Sequence, residues 1–157
     1  MNEQANMNEY LILYGTQTGT AEDLAELISK DLDGLGISHR VENMFDISLE
    51  TVKSFQRIFI IVSTWGDGDP PDDAEDLHQA LLEYTGNGFD GREFAVFGLG
   101  DTDYDHFNKC AIDFDEALAS AGAIQLIPLV KAGLEYDDEF DRWSETLLKS
   151  IPTMVEH

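Results

Sequence analysis

The chain contains few basic residues. Lysine and arginine number 9 against 32 aspartates and glutamates, which gives a formal net charge of −23 at pH 7. Nucleic acids are bound through clustered lysine and arginine side chains, and anionic membrane surfaces attract the same residues. The composition therefore argues against a nucleic-acid partner and against a membrane partner, and it favours basic protein partners.

Cysteine occurs once, at Cys110, so no disulfide can form within the chain. Residues 1–9 show neither the basic start nor the apolar stretch of a signal peptide. No apolar run approaches the roughly 18 residues that a membrane-spanning helix needs. We therefore expect a cytoplasmic protein in which Cys110 is packed rather than reactive. The one cysteine and the four histidines form no cluster in the sequence, so we expect no metal site.

The apolar content is sufficient for a folded core. The chain has 157 residues, of which 43% are hydrophobic, and it shows no repeat or linker-like tract. This length is typical of one domain. We expect a single domain over residues 1–157, with residues 1–8 as a loose N-terminal segment, and we expect a monomer.

Apolar runs of strand type alternate with helical patterns along the whole chain. The predicted strands are Tyr10–Tyr14, Ser38–Val41, Ile58–Val62, Phe94–Phe97 and Ile124–Val130. The predicted helices cover residues 20–33, 72–84, 106–121 and 137–150, with a shorter helical segment after Asp46. Strands separated by helices of this length form right-handed βαβ units, so we expect an α/β fold with a doubly wound parallel sheet.

The apolar pattern also predicts which faces are buried. Ile58–Val62 and Phe94–Phe97 are continuously apolar, which is typical of strands covered on both faces. In the first helix one apolar stripe is expected to face the sheet, formed by Leu24, Leu27, Ile28 and Leu32. In such a sheet ligands bind beyond the carboxyl ends of the strands, so the loops after the first, third and fourth strands are the candidate functional segments.

The first of these loops reads Gly15-Thr-Gln-Thr-Gly-Thr-Ala21 and leads directly into a helix. The N–H groups at a helix start bind anions without any basic residue. The hydroxyls of Thr16, Thr18 and Thr20 add donors, and Gly19 allows close backbone approach. These features favour a phosphate site, although an ordinary threonine-rich cap turn would have the same composition. The loop lacks the Lys-Ser/Thr of a Walker motif and the G-x-G of a dinucleotide fingerprint.

The other two loops each carry an aromatic residue. Residues 63–72 read Ser-Thr-Trp-Gly-Asp-Gly-Asp-Pro-Pro-Asp, and residues 98–108 read Gly-Leu-Gly-Asp-Thr-Asp-Tyr-Asp-His-Phe-Asn. Trp65 and Tyr104 are suited to stacking on a flat ligand. Trp65 as a residue that covers the core edge, and the third loop as a turn that caps the next helix, stay open as alternatives. Together the three loops predict a site for a phosphorylated planar molecule.

These residues carry a family resemblance. The chain resembles the flavodoxin-like FMN-binding family, and within it the FMN domains of diflavin reductases of the sulfite reductase flavoprotein and NADPH–cytochrome P450 reductase type. The resemblance covers about residues 8–150 and is carried by Thr16–Thr20, Ser63–Gly66, the Gly-Asp-Gly-Asp-Pro-Pro stretch at 66–71, and Leu99–Asn108. It implies a five-stranded parallel sheet of strand order 2-1-3-4-5 with helices on both faces.

The resemblance implies an FMN site with no catalytic and no metal-binding residues. Residues 16–21 would hold the phosphate, Tyr104 would stack on one face of the isoalloxazine ring, and Trp65 would cover the other face or its edge. The peptide Gly66-Asp67 would offer a carbonyl to the reduced flavin, and residues 99–101 with Asn108 would meet the pyrimidine edge and the ribityl chain. The full predicted set is Thr16, Gln17, Thr18, Gly19, Thr20, Ala21, Ser63, Thr64, Trp65, Gly66, Asp67, Leu99, Gly100, Asp101, Asp103, Tyr104, His106, Phe107 and Asn108.

The implied function is electron transfer. Flavins exchange electrons singly, so the resemblance implies an FMN-binding carrier that shuttles electrons between a reductase and a redox acceptor through the semiquinone/hydroquinone couple. The donor would be an NADPH-dependent reductase and the acceptor a haem or iron–sulfur protein, both with basic surfaces. The alternative is the FMN module of a diflavin reductase system, excised or as a separate subunit, which would make the chain an oxidoreductase component. Otherwise we expect a carrier without substrate chemistry of its own.

Acidic residues are concentrated near the predicted ligand edge. Between Arg57 and Arg92 there is no lysine or arginine, while the interval holds Asp67, Asp69, Asp72, Asp73, Glu75, Asp76, Glu83 and Asp90. We expect these acids to steer a basic partner. For the acids on the outer face of the helix predicted over residues 72–84, solubility alone is a sufficient explanation. His39 and His78 are expected to be solvated, and His106 is expected to influence the electrostatics of the flavin loop.

A remote alternative from another class is a receiver-type signalling domain on the same fold. That function needs an acidic pair after the first strand, an aspartate at the end of the third and a lysine at the end of the fifth. The chain has Gly15-Thr16 and Ser63-Thr64 at the first two positions, and only Lys131 matches. A flavin-free interaction module also stays open.

Overall fold

A computed structural model of the chain describes residues 9–16, 18–64, 68–101, 103, 105–106 and 108–151. The strands in these ranges are β1 Tyr10–Gly15, β2 His39–Asn43, β3 Arg57–Ser63, β4 Glu93–Leu99, β5 Ile124–Gln125 and β6 Val130–Ala132. The α-helices are α1 Thr20–Gly34, α2 Leu49–Lys53, α3 Glu75–Glu83, α4 Lys109–Ser120 and α5 Asp137–Lys149. Two 3-10 turns cover Met44–Asp46 and Asp72–Ala74. The predicted alternation of strands and helices is confirmed.

The sheet is parallel in every described pairing. Its order is β2-β1-β3-β4-β5, with β6 also paired to β4, which confirms the predicted order 2-1-3-4-5. The register pairs Tyr14 with Asn43, Gly15 with Val62 and Ser63 with Leu99. The carboxyl ends of β1 to β4 therefore lie at one edge of the sheet, which we call the carboxyl edge.

The fifth strand differs from the prediction of one segment over Ile124–Val130. Gln125 pairs with Phe94 and Val130 pairs with Phe97, so the four residues 126–129 lie opposite only residues 95 and 96 of β4. The segment therefore bulges away from the ladder between two short strands. Pro128 lies inside the bulge, and proline cannot donate a ladder hydrogen bond.

Both faces of the sheet are covered by helices. On one face, Ile58, Ile60 and Val62 of β3 pack with residues from α2, α3 and α4. On the other face, Phe59 and Ile61 of the same strand pack with residues from α1 and α5. Alternate side chains of a strand point to opposite faces, so double coverage explains why β3 and β4 are apolar without interruption.

The helices also differ from the prediction in detail. Leu27 is 47% exposed, whereas Leu24, Ile28 and Leu32 are buried. Adjacent helical residues are separated by about 100°, so Leu27 falls at the side of the stripe that faces the sheet. Residues 72–74 form a 3-10 turn ahead of α3, and α4 begins at Lys109 rather than at 106. Asn108 has a left-handed φ of 59°, which a right-handed helix cannot include.

Gly98 allows α4 to pack directly against β4. A Cβ atom at this position would overlap Asn108 Oδ1 and would lie 2.6 Å from Ala111 Cβ. We predict that Gly98→Ala lowers the free energy of unfolding by about 1–3 kcal/mol, the usual cost of overpacking a core.

Urea unfolding measures this loss, and Gly34→Ala at the end of α1 is the matched control. A Cβ at Gly34 would meet no atom within 4 Å. The control should be neutral or stabilised by up to about 1 kcal/mol, since alanine has the higher helix propensity. Equal stability of the two variants would contradict the close packing of α4.

Cys110 lies within α4 with 0% of its surface exposed, and burial raises the pKa of its thiol. The structure thus confirms a packed cysteine. The thiolate is the reactive form, so we predict that Ellman's reagent modifies the native protein at least about 1,000-fold more slowly than the urea-unfolded protein, because modification must wait for the small open population. Native-state modification at the rate of an exposed thiol would contradict this.

Candidate functional site

Helix α1 begins at the carboxyl edge with N–H groups that lie outside its own hydrogen-bond ladder. Its cap residue is Gly19, which has a φ of 97° and provides no side-chain cap. The first backbone bond of the helix runs from Asp23 N–H to Gly19 O at 3.1 Å. The N–H groups of Thr20, Ala21 and Glu22 therefore precede the helical ladder, at the positive end of the helix dipole. This donor set suits an anion.

Threonine hydroxyls border the same helix start. Thr18 is exposed and Thr20 is half-buried, and their Oγ1 atoms lie 3.4 Å apart. Ala21 is fully buried and belongs to the core between the sheet and α1. The predicted phosphate loop thus combines backbone N–H groups with two hydroxyls and no basic side chain.

Thr16 links this loop to the segment after β3. Its Oγ1 accepts a hydrogen bond from Gly19 N–H at 2.8 Å. Its N–H donates to the two carboxylate oxygens of Asp73, at 3.0 and 3.2 Å. Asp73 also accepts from Asn43 Nδ2 at 3.0 Å. The backbone donor of Thr16 is therefore used within the protein.

Thr64 joins the loops after β3 and β4. Its N–H donates to Leu99 O at 2.9 Å, which extends the β3–β4 pairing by one bond. Its Oγ1 accepts from Cys110 N–H at 3.1 Å. Asn108, at the cap position of α4, makes no side-chain cap bond. Thr64 therefore caps α4 from a neighbouring loop.

Gly68 and His106 bring the same two loops into contact. Gly68 has a left-handed φ of 113°, and a Cβ there would lie 2.9 Å from His106 Cβ. A side chain at this position would separate the loops. His106 itself is exposed, at the rim where the sequence placed it.

The third loop is anchored at both ends to β6. Gly100 N–H and Asn108 Nδ2 both donate to Ala132 O, each at 3.0 Å. Asn108 is fully buried, and through Nδ2 its side chain supports the loop. Its Oδ1 has no hydrogen-bond partner among the described residues, and its contact with the ribityl chain stays a prediction.

The remaining predicted residues divide by position. Asp103 is exposed, and its N–H donates to Asp101 Oδ1 at 2.9 Å within a turn. Leu99 is buried, while Gly100 is half-buried. Ser63 Oγ is buried and has no hydrogen-bond partner among the described residues. Six predicted residues lie outside the described residues, so both aromatic contacts stay predictions: Gln17, Trp65, Gly66, Asp67, Tyr104 and Phe107.

The expectation that His39 and His78 are solvated is wrong. The His39 side chain is 8% exposed, and its ring nitrogens lie 2.7 Å from Ser29 Oγ and 2.9 Å from Ile37 O. The His78 side chain is 12% exposed, and its Nε2 lies 2.9 Å from Asp113 Oδ2. Both rings fill helix-packing positions that the surrounding polar sequence did not reveal.

The carboxyl edge carries exposed acids from two loops. Asp69 and Asp72 are exposed after β3, and Asp103 and Asp105 after β4. Lys109 is also exposed here, but its Nζ lies 3.0 Å from Asp113. Asp73, although acidic, is held by Thr16 and Asn43 as described above. The described acids therefore form a negative rim that does not include Asp73.

No helix in the described ranges is both long and apolar enough to span a bilayer. No group of three or more histidine, cysteine, aspartate or glutamate residues in them is arranged to hold a metal ion.

Sequence comparison identifies the relatives of the chain. The family model for flavodoxin matches residues 12–143. The sulfite reductase [NADPH] flavoprotein alpha-component of Thiocapsa roseopersicina is 36% identical over 144 residues, which cover 92% of this chain and 28% of that protein. Its counterpart in Bacillus subtilis is 35% identical over 143 residues, covering 91% and 24%. The chain thus spans about a quarter of the length of these relatives.

Solved structures share the whole architecture. A flavodoxin of Streptococcus pneumoniae matches with a TM-score of 0.77 and 28% identity, covering 91% of this chain and 99% of the flavodoxin. Flavodoxin 2 of Bacillus cereus matches with a TM-score of 0.78 and 28% identity over the same shares. With the sheet order, the helix-start donor set and these matches in agreement, the chain belongs to the flavodoxin family.

Proposed function

We propose that the carboxyl edge binds FMN and that the chain is a one-electron transfer module. The observation that carries this proposal is the start of α1, where backbone N–H groups and the hydroxyls of Thr18 and Thr20 surround a glycine cap. A phosphate monoester satisfies such donors, and a helix start holds it without a basic residue. FMN, when bound, accepts and returns electrons one at a time.

The other loops fit the rest of the flavin. Contacts of Thr64 with Leu99 and of Gly68 with His106 hold the described parts of the segments after β3 and β4 side by side. The unpartnered Ser63 Oγ is a buried polar atom of the kind that a bound ligand satisfies. We propose that Tyr104 stacks on one face of the ring, that Trp65 covers the other face or its edge, and that the Gly66-Asp67 peptide offers a carbonyl to the reduced flavin.

The negative rim affects both the bound flavin and the approach of a redox partner. Carboxylates such as Asp69 and Asp103 oppose the addition of negative charge, so they lower the potential at which the flavin is reduced. They also attract a basic partner and orient it toward the carboxyl edge. We therefore propose a basic NADPH-dependent reductase as donor and a basic haem or iron–sulfur protein as acceptor.

Two working arrangements follow from the relatives. The similarity to flavodoxins supports a free-standing carrier. The similarity to the flavoprotein component of sulfite reductase supports an FMN module that works with a separate or attached reductase. The same site serves either arrangement, since only the source of electrons differs.

We predict that the protein prepared without flavin binds FMN more tightly than riboflavin, which lacks the phosphate. Thr20→Val should weaken FMN binding by about 10-fold or more, the worth of one hydrogen bond to a charged group, and leave riboflavin binding unchanged. Quenching of flavin fluorescence measures both affinities. Thr85→Val, at an exposed position beyond α3, is the matched control and should change neither. Equal affinity for FMN and riboflavin would contradict the proposal of a phosphate site at the start of α1.

We predict that electron transfer to a basic haem protein, such as cytochrome c, from the protein loaded with FMN and reduced beforehand with dithionite slows by about 10-fold or more from low to high salt, because steering by opposite charges is screened. Stopped-flow rates measure this. A double variant, Asp69→Asn with Asp103→Asn, should reduce both the low-salt rate and its salt dependence. A rate that does not change with salt concentration would contradict the proposal that the negative rim guides docking.

A further inference from the structure

A continuous chain of hydrogen bonds runs beside the phosphate loop. Phe45 N–H donates to Asn43 Oδ1 at 2.7 Å, and Asn43 Nδ2 donates to Asp73 Oδ2 at 3.0 Å. Asp73 accepts from Thr16 N–H at 3.0 and 3.2 Å, and Thr16 Oγ1 accepts from Gly19 N–H at 2.8 Å. The chain begins after β2, passes through the turn after β3 and ends at the cap of α1.

Close packing holds these segments together. A Cβ atom at Gly15 would lie 2.9 Å from Ala74 Cβ and 2.9 Å from Met44 Sδ. Ala74 and Met44 are buried, with 0% and 1% of their surfaces exposed. The end of β1 therefore touches both turns that carry the hydrogen-bonding residues. The packing of Ala74 and Met44 against the end of β1 therefore keeps Asp73 and Asn43, which precede them in the chain, close to Thr16.

The charge of Asp73 is opposite to what attraction of a phosphate would require. A carboxylate beside an anion site weakens anion binding through repulsion. Its contribution must therefore come from geometry: it engages Thr16 N–H in a charge-assisted bond, and Thr16 in turn holds the N–H of Gly19. This arrangement fixes the direction in which the loop enters α1, and so where the remaining N–H groups converge.

We propose that Asp73 is a positioning residue that sets the preference of the site for a phosphorylated over an unphosphorylated flavin. Its two oxygens orient the phosphate loop, and Asn43 orients Asp73. This inference rests on the proposed FMN site. The Asp73 side chain then has two opposing effects: its accepting oxygens strengthen phosphate binding, while its negative charge weakens it.

The test compares FMN and riboflavin affinities of the full chain prepared without flavin. Asp73→Ala removes the accepting oxygens and should weaken FMN binding by about 10-fold or more, while riboflavin affinity stays within about 2-fold. Asp73→Asn should retain clearly more of the FMN binding than Asp73→Ala. Its amide oxygen can accept from both Thr16 N–H and Asn43 Nδ2, as Asp73 Oδ2 does, whereas its amide nitrogen takes the place of Oδ1 and cannot accept from Thr16.

The matched control is Asp76→Ala, which removes an exposed acid from α3. It should change FMN affinity by less than about 2-fold, since an exposed charge is screened by water and salt. Asn43→Ala removes one donor to Asp73 and should lower FMN affinity in the same direction as Asp73→Ala but by a smaller factor. It keeps the test decisive even if Asp73→Ala does not fold.

The outcomes are distinct. Equal losses for FMN and riboflavin in Asp73→Ala would show a merely structural residue and overturn the inference. A loss in Asp73→Asn as large as that in Asp73→Ala would overturn it as well. A native protein that binds FMN no better than riboflavin would defeat the proposed phosphate site itself, and this inference with it.

Discussion

The parallel pairing of β1, β3 and β4, buried on both faces, is the constraint on which the rest of the molecule depends. Ile58, Ile60 and Val62 pack against one helical layer, while Phe59 and Ile61 pack against the other. Because neither face can turn to solvent, the register is fixed, and the strands finish together at the carboxyl edge. The pairing of Ser63 with Leu99 places the loops that follow β3 and β4 side by side. Position, rather than any single side chain, makes this edge the candidate binding edge.

Polar contacts join the loops at that edge, in addition to the packing of Ala74 and Met44 against the end of β1. Thr64 caps α4 across a loop boundary, and Ala132 O holds both ends of the third loop. Asp73 joins the first loop to the segments after β2 and β3. Each bond satisfies a backbone or amide donor that would otherwise be costly to bury. The same network fixes the donors that a phosphate would meet, so stability of the edge and recognition of the ligand depend on the same contacts.

The sequence was sufficient for the sheet, the helices and the three loops, because these follow from apolar periodicity and from glycine, proline and threonine placed at strand ends. It was not sufficient for features set by pairing across the fold. The bulge at 126–129 depends on the register with β4, and the burial of His39 depends on Ser29 in a helix ten residues earlier. The sequence predicts one more surface acid at Asp73, since nothing local to it reveals a partner 57 residues away. The adjacent prolines and the start of a helical turn were the only signals that could have drawn attention to it.

The central claim is that one edge of the sheet, and no other region, receives a phosphorylated flavin. Backbone amide chemical shifts, followed as FMN is added to the protein prepared without flavin, test it most directly. The account predicts large shifts at Thr18 to Glu22, at Thr64 and at Gly100, with little change at Tyr10, Arg57 and Glu93 on the opposite edge. Shifts confined to that opposite edge, or to the groove that Leu82 and Glu116 line between α3 and α4, would contradict it.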